Sequence, residues 1–331
     1  RHRRAGPMRS IRAGSLLPRL WAARAKDPRI AGSVVAAGAG IALAGSFAWA
    51  RSGGVLAETG AAPGELSVMT WNVLARPYTE YNAKFHASGG KVEEPSQTVA
   101  RYTLAGRRIV SQGADLVFLQ ECEANFFSAA WNGAADKVLE DYLVFPCRIE
   151  DNPGTAVLVK KSGSVATSAS KPACIGGTRE AGGCSKVATV LPVHAGARHF
   201  AAVSTHFTWD GAAEQRLHHA KLIGEGLTAQ SIVLGGDFNC QPGEKLAKLE
   251  SSTFLQDLQR AELPKAATTG LNSDFSQEEC IDHVYASRDF SVRSAAALDG
   301  PRSPWVGSGG RPGKVEGASD HVPVFVRLGW R

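Results

Sequence analysis

Ser231-Ile-Val-Leu-Gly-Gly-Asp-Phe-Asn-Cys240 is the stretch on which the reading of this chain turns. The apolar run Ile232 to Leu234 predicts a short buried strand. Gly235 and Gly236 then predict a sharp backbone turn at its end, because glycine has no Cβ to resist one. Asp237 and Asn239 follow with one residue between them. Both are expected to project into the crevice beyond the strand's carboxyl end, where open α/β sheets hold ligands. A carboxylate there can polarise a water, and a carboxamide can donate a hydrogen bond to a phosphoryl oxygen. A plain strand closed by an Asx turn explains the same residues, so the rest of the chain must decide.

The pattern recurs. The run 66–73, Leu-Ser-Val-Met-Thr-Trp-Asn-Val, predicts a first strand ending in Asn72. A second, over 115–120, delivers Glu121, and a carboxylate just past Leu-Val-Phe-Leu is costly to bury unless paired or bound to a metal. Further strands are predicted at 142–145, 155–159, 187–193 and 200–204, the last running into Thr205-His206-Phe207. Ile281-Asp-His-Val-Tyr285 predicts a strand that buries Asp282, and Ser319-Asp320-His321 directly precedes a closing strand at 322–328. Helices are predicted over 99–113 and over 212–227, the second with His218, His219 and Lys221 on its solvated side. Taken singly, a buried Asn or His more often satisfies backbone groups than does chemistry. Taken together, Asn72, Glu121, His206, Asp237, Asn239, Asp320 and His321 point to a site. The mixture of elements fits two packed mixed sheets with outer helices, one domain over 66–331. Long loops at 75–95 and 297–318 are the expected substrate rim. Arg76, Tyr78 and Trp209 are the candidate contacts there and nearby.

The formal net charge of +6 over 331 residues is unevenly placed. Residues 1–52 hold ten of the 37 Lys/Arg and one of the 31 acids, which leaves 27 basic against 30 acidic residues over 53–331. The body is mildly acidic and shows no overall basic face of the kind a dedicated nucleic-acid binder carries. The six cysteines, at 122, 147, 174, 184, 240 and 280, lack the spacing of a structural zinc. Cys122 and Cys240 read as small packing groups. Cys174 and Cys184 bracket a Gly-rich loop and are close enough in sequence to bridge, although free thiols are the expectation.

Residues 1–29, rich in Arg among Ala, Leu and Ser, look like an organellar targeting leader, mitochondrial first and plastid second. The chain opens at Arg1 and its first methionine is Met8, which leaves a start at Met8 and a fragment both open. Residues 30–50 carry no charge and are long enough to span a bilayer as a helix. Three readings stay open for them: a retained membrane anchor, a sorting signal that is removed, and an unstructured Ala/Gly leader. Residues 51–65 read as a linker.

With these motifs quoted, a resemblance emerges. Trp71-Asn72-Val73, Leu119-Gln120-Glu121, Thr205-His206, Gly236-Asp237-Phe238-Asn239, Asp282 and Ser319-Asp320-His321 occur in the order of the endonuclease/exonuclease/phosphatase superfamily. The resemblance spans the body and implies the deoxyribonuclease I-like α/β four-layer sandwich. It further implies a phosphoesterase that works with Mg²⁺, or with Mn²⁺ in its place. Glu121 would ligate the metal, with Asn72 and Asp320 contributing. Asp237 would orient or deprotonate water, Asn239 and His206 would contact phosphoryl oxygens, and His321 would do so as an imidazolium held by Asp282.

Trp-Asn-Val-Leu-Ala-Arg-Pro-Tyr, Gln-Glu-Cys-Glu and Ser-Val-Arg-Ser-Ala are most similar to the deadenylase branch that includes nocturnin. That branch usually has Asp-Tyr where this chain has Asp282-His283. It also has a Lys soon after Thr-His-Leu, where this chain has Thr205-His206-Phe-Thr-Trp-Asp. The expectation is an RNA or nucleotide phosphodiesterase. A sphingomyelinase-like lipid phosphodiesterase or a small-molecule phosphatase is the alternative, and a non-catalytic binding module on the same fold is the alternative of another class. No protein partner is indicated.

Overall fold

Alternation along the strands sorts their side chains onto two faces. In β1 (Glu65–Asn72), Leu66 and Val68 belong to one apolar cluster, while Met69 and Trp71 belong to another. In β2 (Leu116–Cys122), Leu116 and Phe118 likewise part from Val117 and Leu119. Strands apolar on both faces must be covered on both, and that requirement stacks the molecule into layers. The computed structural model describes residues 64–78, 95–127, 134–148, 152–176, 186–208, 213–263, 268–270, 278–298 and 318–331. These residues fall within one compact unit, Ala57–Arg331. The leader 1–29, the segment 30–50 and nearly all of the linker 51–65 lie outside the described residues, as do Trp209, Cys184 and most of the loops 75–95 and 297–318. No described helix is long and apolar enough to cross a membrane.

The first sheet joins β1 and β2 to β3 (Tyr142–Cys147), β4 (Gly154–Lys160), β13 (Phe290–Ala297) and β14 (Val324–Trp330), in the order β13-β14-β1-β2-β4-β3. The second runs β5-β6-β7-β8-β12-β9. These are Ala173–Ile175, Ala188–Ala195, Arg198–His206, Ile232–Asp237, Asp282–Ser287 and Leu258–Arg260. Each sheet has one parallel pair at its centre, β1 with β2 and β7 with β8, flanked by antiparallel neighbours. A small hairpin, β10 (Thr269–Gly270) with β11 (Glu278–Glu279), stands apart.

Three cores hold the layers together. Val68, Phe118, Val157, Leu191, Val233 and Val326 pack between the sheets. Helices α1 (Pro95–Gln112) and α2 (Ala134–Asp141) cover the first sheet through Tyr102, Ile109 and Val138. Helices α3 (Ala213–Gly226) and α4 (Glu244–Ser251) cover the second through Ala220, Ile223, Leu246 and Leu249. The result is the expected α/β four-layer sandwich. Helix α1 begins at Pro95, a residue suited to the first helical position, and stops at Gly113, whose φ of 61° suits a left-handed cap.

Three expectations are corrected. Gly235 and Gly236 do not make a turn: both lie inside β8. A Cβ at Gly235 would stand 2.6 Å from the Phe118 ring of the opposite sheet, and one at Gly236 would stand 2.0 Å from the Thr205 carbonyl. The pair lets β8 approach its neighbours closely. Cys174 is not a free thiol and does not pair with Cys184; it is bridged to Cys147. That disulfide ties β3, an edge of the first sheet, to β5, an edge of the second. His219 is fully buried rather than solvated, edge-on to Phe207, and burial pushes its pKa down to about 4. His218 and Lys221 are exposed as expected.

Candidate active site

The site is the top layer of the inter-sheet core. Counting by twos from Leu66 and Val68 leads through Thr70 to Asn72, and from Phe200 and Ala202 through Ser204 to His206. Val233 leads through Gly235 to Asp237, and Val284 sits two residues beyond Asp282. Register completes the arrangement: His206 pairs with Asp237 across the parallel β7/β8 ladder, and Asp237 pairs with Asp282 on its other side. One polar layer below, Gln120 Nε2 donates to Ser204 Oγ at 3.1 Å, and Ser204 Oγ donates to the Leu119 carbonyl at 2.9 Å, tying the sheets together.

Glu121 reaches the crevice differently. Alternation would send it to the helix side with Val117 and Leu119. The pairing of β2 with β4 instead slips between Gln120 and Cys122, and Glu121 has a left-handed φ of 59°. A bulge of this kind re-aims a side chain. Asn239, at φ 48°, and Leu74, at φ 54°, are the other non-glycine residues in this region of backbone space among the described residues. Such conformations cost roughly 1–3 kcal/mol each and cluster where function holds them.

Asp237 Oδ2 is the hub. Asn72 Nδ2 donates to it at 3.0 Å and to Glu121 Oε1 at 2.9 Å, so one carboxamide links carboxylates from the two sheets. His206 Nε2 lies 3.5 Å from Asp237 Oδ2 and 3.9 Å from Glu121 Oε1. His321 Nε2 lies 3.8 Å from the same Asp237 oxygen, while its Nδ1 bonds Asp282 Oδ2 at 2.8 Å. Asp237 Oδ1 accepts from the Asn239 backbone N–H at 2.8 Å, so the Asx turn is present as well as the site. Asn239 Nδ2 donates to the Phe207 carbonyl at 2.9 Å and stands 3.3 Å from His206 Nε2. The Asn72 oxygen accepts from the Leu74 N–H, which fixes the direction of the carboxamide.

Burial and neighbouring charges set the protonation states. Burial raises the pKa of Glu121, against an opposing pull from Lys186 and a further push from Asp320. Burial raises Asp237 to about 7, with His321 opposing and Asp282 adding. His206 falls well below the imidazole range through burial, then through Lys186 and His321, and is neutral. Burial alone would lower His321 too, but Asp282, Asp320 and Asp237 together hold it well above that range as a cation.

Asp237, Asp282 and His321 offer ligand atoms within 4.8 Å of one another. The His321 ring is already committed to Asp282, so its own charge compensates that cluster. The Glu121 side lacks such a compensating imidazolium. There, buried Glu121 with Asp320 nearby gives a hard-oxygen donor set that fits a divalent cation.

The segment that carries Asp320 and His321 is pinned to β1. Trp71 Nε1 donates to the His321 carbonyl at 2.9 Å, and Ser319 Oγ donates to the Asn72 carbonyl at 2.7 Å. Buried Arg101 donates to the carbonyls of Val73 and Ala318. Arg76 and Tyr78 lie half-buried in a short helical turn beside the crevice, with the Ala75 N–H on Glu121 Oε2 and the Arg76 N–H on Glu123.

Lys186 is the residue that sequence reasoning missed. Its Nζ stands 3.5 and 3.4 Å from the two His206 ring nitrogens and 5.0 Å from the Tyr78 ring centre. Hairpin register was the available signal. Pairing Ala188 with Thr205 sets the residues just before 188 beside His206.

The endonuclease/exonuclease/phosphatase family model matches residues 69–321, a span that holds every one of these groups. The chain belongs to this family. Membership carries the class of activity with it, hydrolysis of phosphate esters. Among solved structures, an endonuclease/exonuclease/phosphatase from Bacteroides vulgatus is similar at 17% identity, with a TM-score of 0.59 over 81% of this chain and 99% of that one. ANGEL2, a 2′,3′-cyclic phosphatase solved with adenosine-2′,3′-vanadate, is similar at 15% identity and TM-score 0.59, over 80% and 96%. The human nocturnin catalytic domain with bound sulfate is similar at 19% identity and TM-score 0.55, over 81% and 94%. At these identities the likeness is one of fold. No curated protein sequence matches significantly.

Proposed function

We propose that this protein is a divalent-cation-dependent phosphodiesterase acting on a nucleotide or RNA, in the manner of the deadenylase branch. The observation that carries the reading is the Asn72 carboxamide joining Glu121 to Asp237, with neutral His206 and cationic His321 on either side of the Asp237 carboxylate. Asp237 Oδ2 holds the attacking water and receives its proton. Asn72 keeps that oxygen and Glu121 in register. Neutral His206 and the Asn239 carboxamide donate to phosphoryl oxygens, and His321 adds a positive charge that Asp282 steadies. A bound cation, Mg²⁺ first and Mn²⁺ in its place, would be held by Glu121 and Asp320 and would neutralise charge on the phosphoryl group. ANGEL2, solved as a 2′,3′-cyclic phosphatase with adenosine-2′,3′-vanadate, supports the nucleotide class. The Arg-rich leader keeps an organellar destination within the proposal, and the Cys147–Cys174 bridge favours an oxidising compartment.

The test is a hydrolysis panel on the full chain with Mg²⁺: oligoadenylate, adenosine 2′,3′-cyclic phosphate, sphingomyelin and inositol phosphates, with Asp237→Ala and EDTA as controls. Turnover of an adenylate substrate that both controls abolish is the expected result. Turnover of sphingomyelin alone would replace the substrate class. No turnover by a folded, Mg²⁺-binding protein would overturn the reading.

A further inference from the structure

We infer that Lys186 is a substrate-binding residue that grips a non-bridging oxygen of the substrate phosphate from the His206 side. This inference rests on the phosphoesterase reading above. The Lys186 ammonium stands in the crevice 3.4 Å from a His206 ring nitrogen and 5.0 Å from the Tyr78 ring centre. Among the described residues no carboxylate lies within ion-pair distance of it. Glu121 feels its charge without contacting it.

With the His206 and Tyr78 rings as its neighbours, Lys186 has no anionic partner among the described residues, and at the wall of the proposed phosphate site the chemistry that supplies one is an anionic oxygen. The same placement answers a question raised by the sequence. No basic residue follows Thr205-His206 directly, since Phe207, Thr208, Trp209 and Asp210 stand there. Lys186, two residues before β6, brings a positive charge to the His206 ring along a different segment of chain. Tyr78 then has a defined part: its ring fixes the direction of the ammonium, and its pKa is raised by burial, with Lys186 the first group opposing that rise.

The test uses the full chain as wild type, Lys186→Met and Lys186→Arg. Binding of inorganic phosphate and of AMP is followed by calorimetry without metal. Steady-state hydrolysis of bis(p-nitrophenyl) phosphate with Mg²⁺ follows, then a Mg²⁺ titration and a thermal melt of each variant. Lys186→Met is expected to weaken phosphate and AMP binding and to raise KM by about 10- to 100-fold, the usual worth of a charge-assisted hydrogen bond. Lys186→Arg should restore most of both, and the melts should coincide. If Lys186→Met tightens Mg²⁺ binding and leaves phosphate affinity and KM unchanged, Lys186 is merely a counter-charge for Glu121 and the inference is wrong. If Lys186→Met melts lower, Lys186→Arg decides: with wild-type stability, unrestored phosphate affinity would overturn the inference. Wild-type protein that binds phosphate in a Lys186-dependent way yet hydrolyses nothing would sink the phosphoesterase reading and leave the phosphate grip standing.

Discussion

At the residue scale, the site is built from groups whose burial works against their charge. Asp237 is the clearest case. Its pKa, raised by burial to about 7, means that the folded state holds a proton the unfolded chain has already released. Stability from this group therefore falls as pH rises between about 4 and about 7. Asp237→Asn is expected to lower kcat by about 10²–10⁴-fold, as for loss of a general base. It should also raise the melting temperature of metal-free protein at pH 8, by on the order of 1 kcal/mol or about 2–4 °C, a gain that shrinks at pH 5. Equal melting temperatures at pH 8 would show that the buried charge costs nothing. His321 has the same sign in a higher pH window. Its folded pKa lies above the unfolded one, so its contribution is fully present below about pH 6.5 and is lost as pH rises through the raised value. Asp282→Asn should bring the His321 imidazole titration down, seen by NMR, and lower kcat at pH 7.5 with it. An unmoved His321 titration would mean that Asp282 does not hold the charge. Most of these residues were legible in the sequence because each is polar where a strand's apolar run ends. Lys186 was not, since nothing in its own segment marks it and only cross-strand register brings it to His206.

At the element scale, the main strands other than β13 were legible because apolar runs of that length admit few alternatives; in β13 the sequence Ser-Val-Arg-Ser breaks the run. β5, β9 and the β10/β11 hairpin are two or three residues long and carry no such run. Helices α2 and α4 were missed because eight residues hold barely two turns of periodicity. The glycines of β8 were misread for a physical reason. Local propensity favours a turn at Gly-Gly, while the closeness of Phe118 from the opposite sheet, which needs that space, appears only in three dimensions. Gly235→Ala puts this to the test. The added methyl meets Phe118 at 2.6 Å and Thr70 at 3.2 Å, so the sheets must part or the ring must turn. A loss of about 1–3 kcal/mol in chemical denaturation is expected from overpacking. Activity should fall as well, because Asp237 is two residues away on the same face. A neutral effect on both would restore the turn-like reading of the pair.

At the scale of the whole molecule, the two sheets repeat one plan: a central parallel pair whose carboxyl ends carry the chemistry, flanked by antiparallel neighbours. Each sheet supplies half of the site, so catalysis depends on how the sheets are held face to face. One clamp lies at the layer just below the site. Thr155 of β4 and Thr189 of β6 share a hydrogen bond of 2.8 Å between the sheets. Cys147 pairs with Thr155 in β3/β4, and Cys174 pairs with Thr189 in β5/β6, so the disulfide closes the same level at the outer edge. Sequence spacing offered only Cys184 as a candidate partner of Cys174, with free thiols the expectation, because it is nearer along the chain. Sheet stacking brings Cys147 nearer in space, and the bridge closes a separation of 27 residues. Loops of that size lose enough chain entropy on closure for the bond to contribute about 2–4 kcal/mol. The paired change Cys147→Ser, Cys174→Ser should therefore lower unfolding free energy by that amount. Dithiothreitol should lower the wild-type melting temperature to the level of the double variant and leave that variant unmoved. Cys184→Ser should keep the full response to reductant, because the clamp is made by Cys147 and Cys174. A Cys184→Ser protein that no longer responds would instead place the bridge within the β5–β6 loop and leave the sheets joined by packing alone.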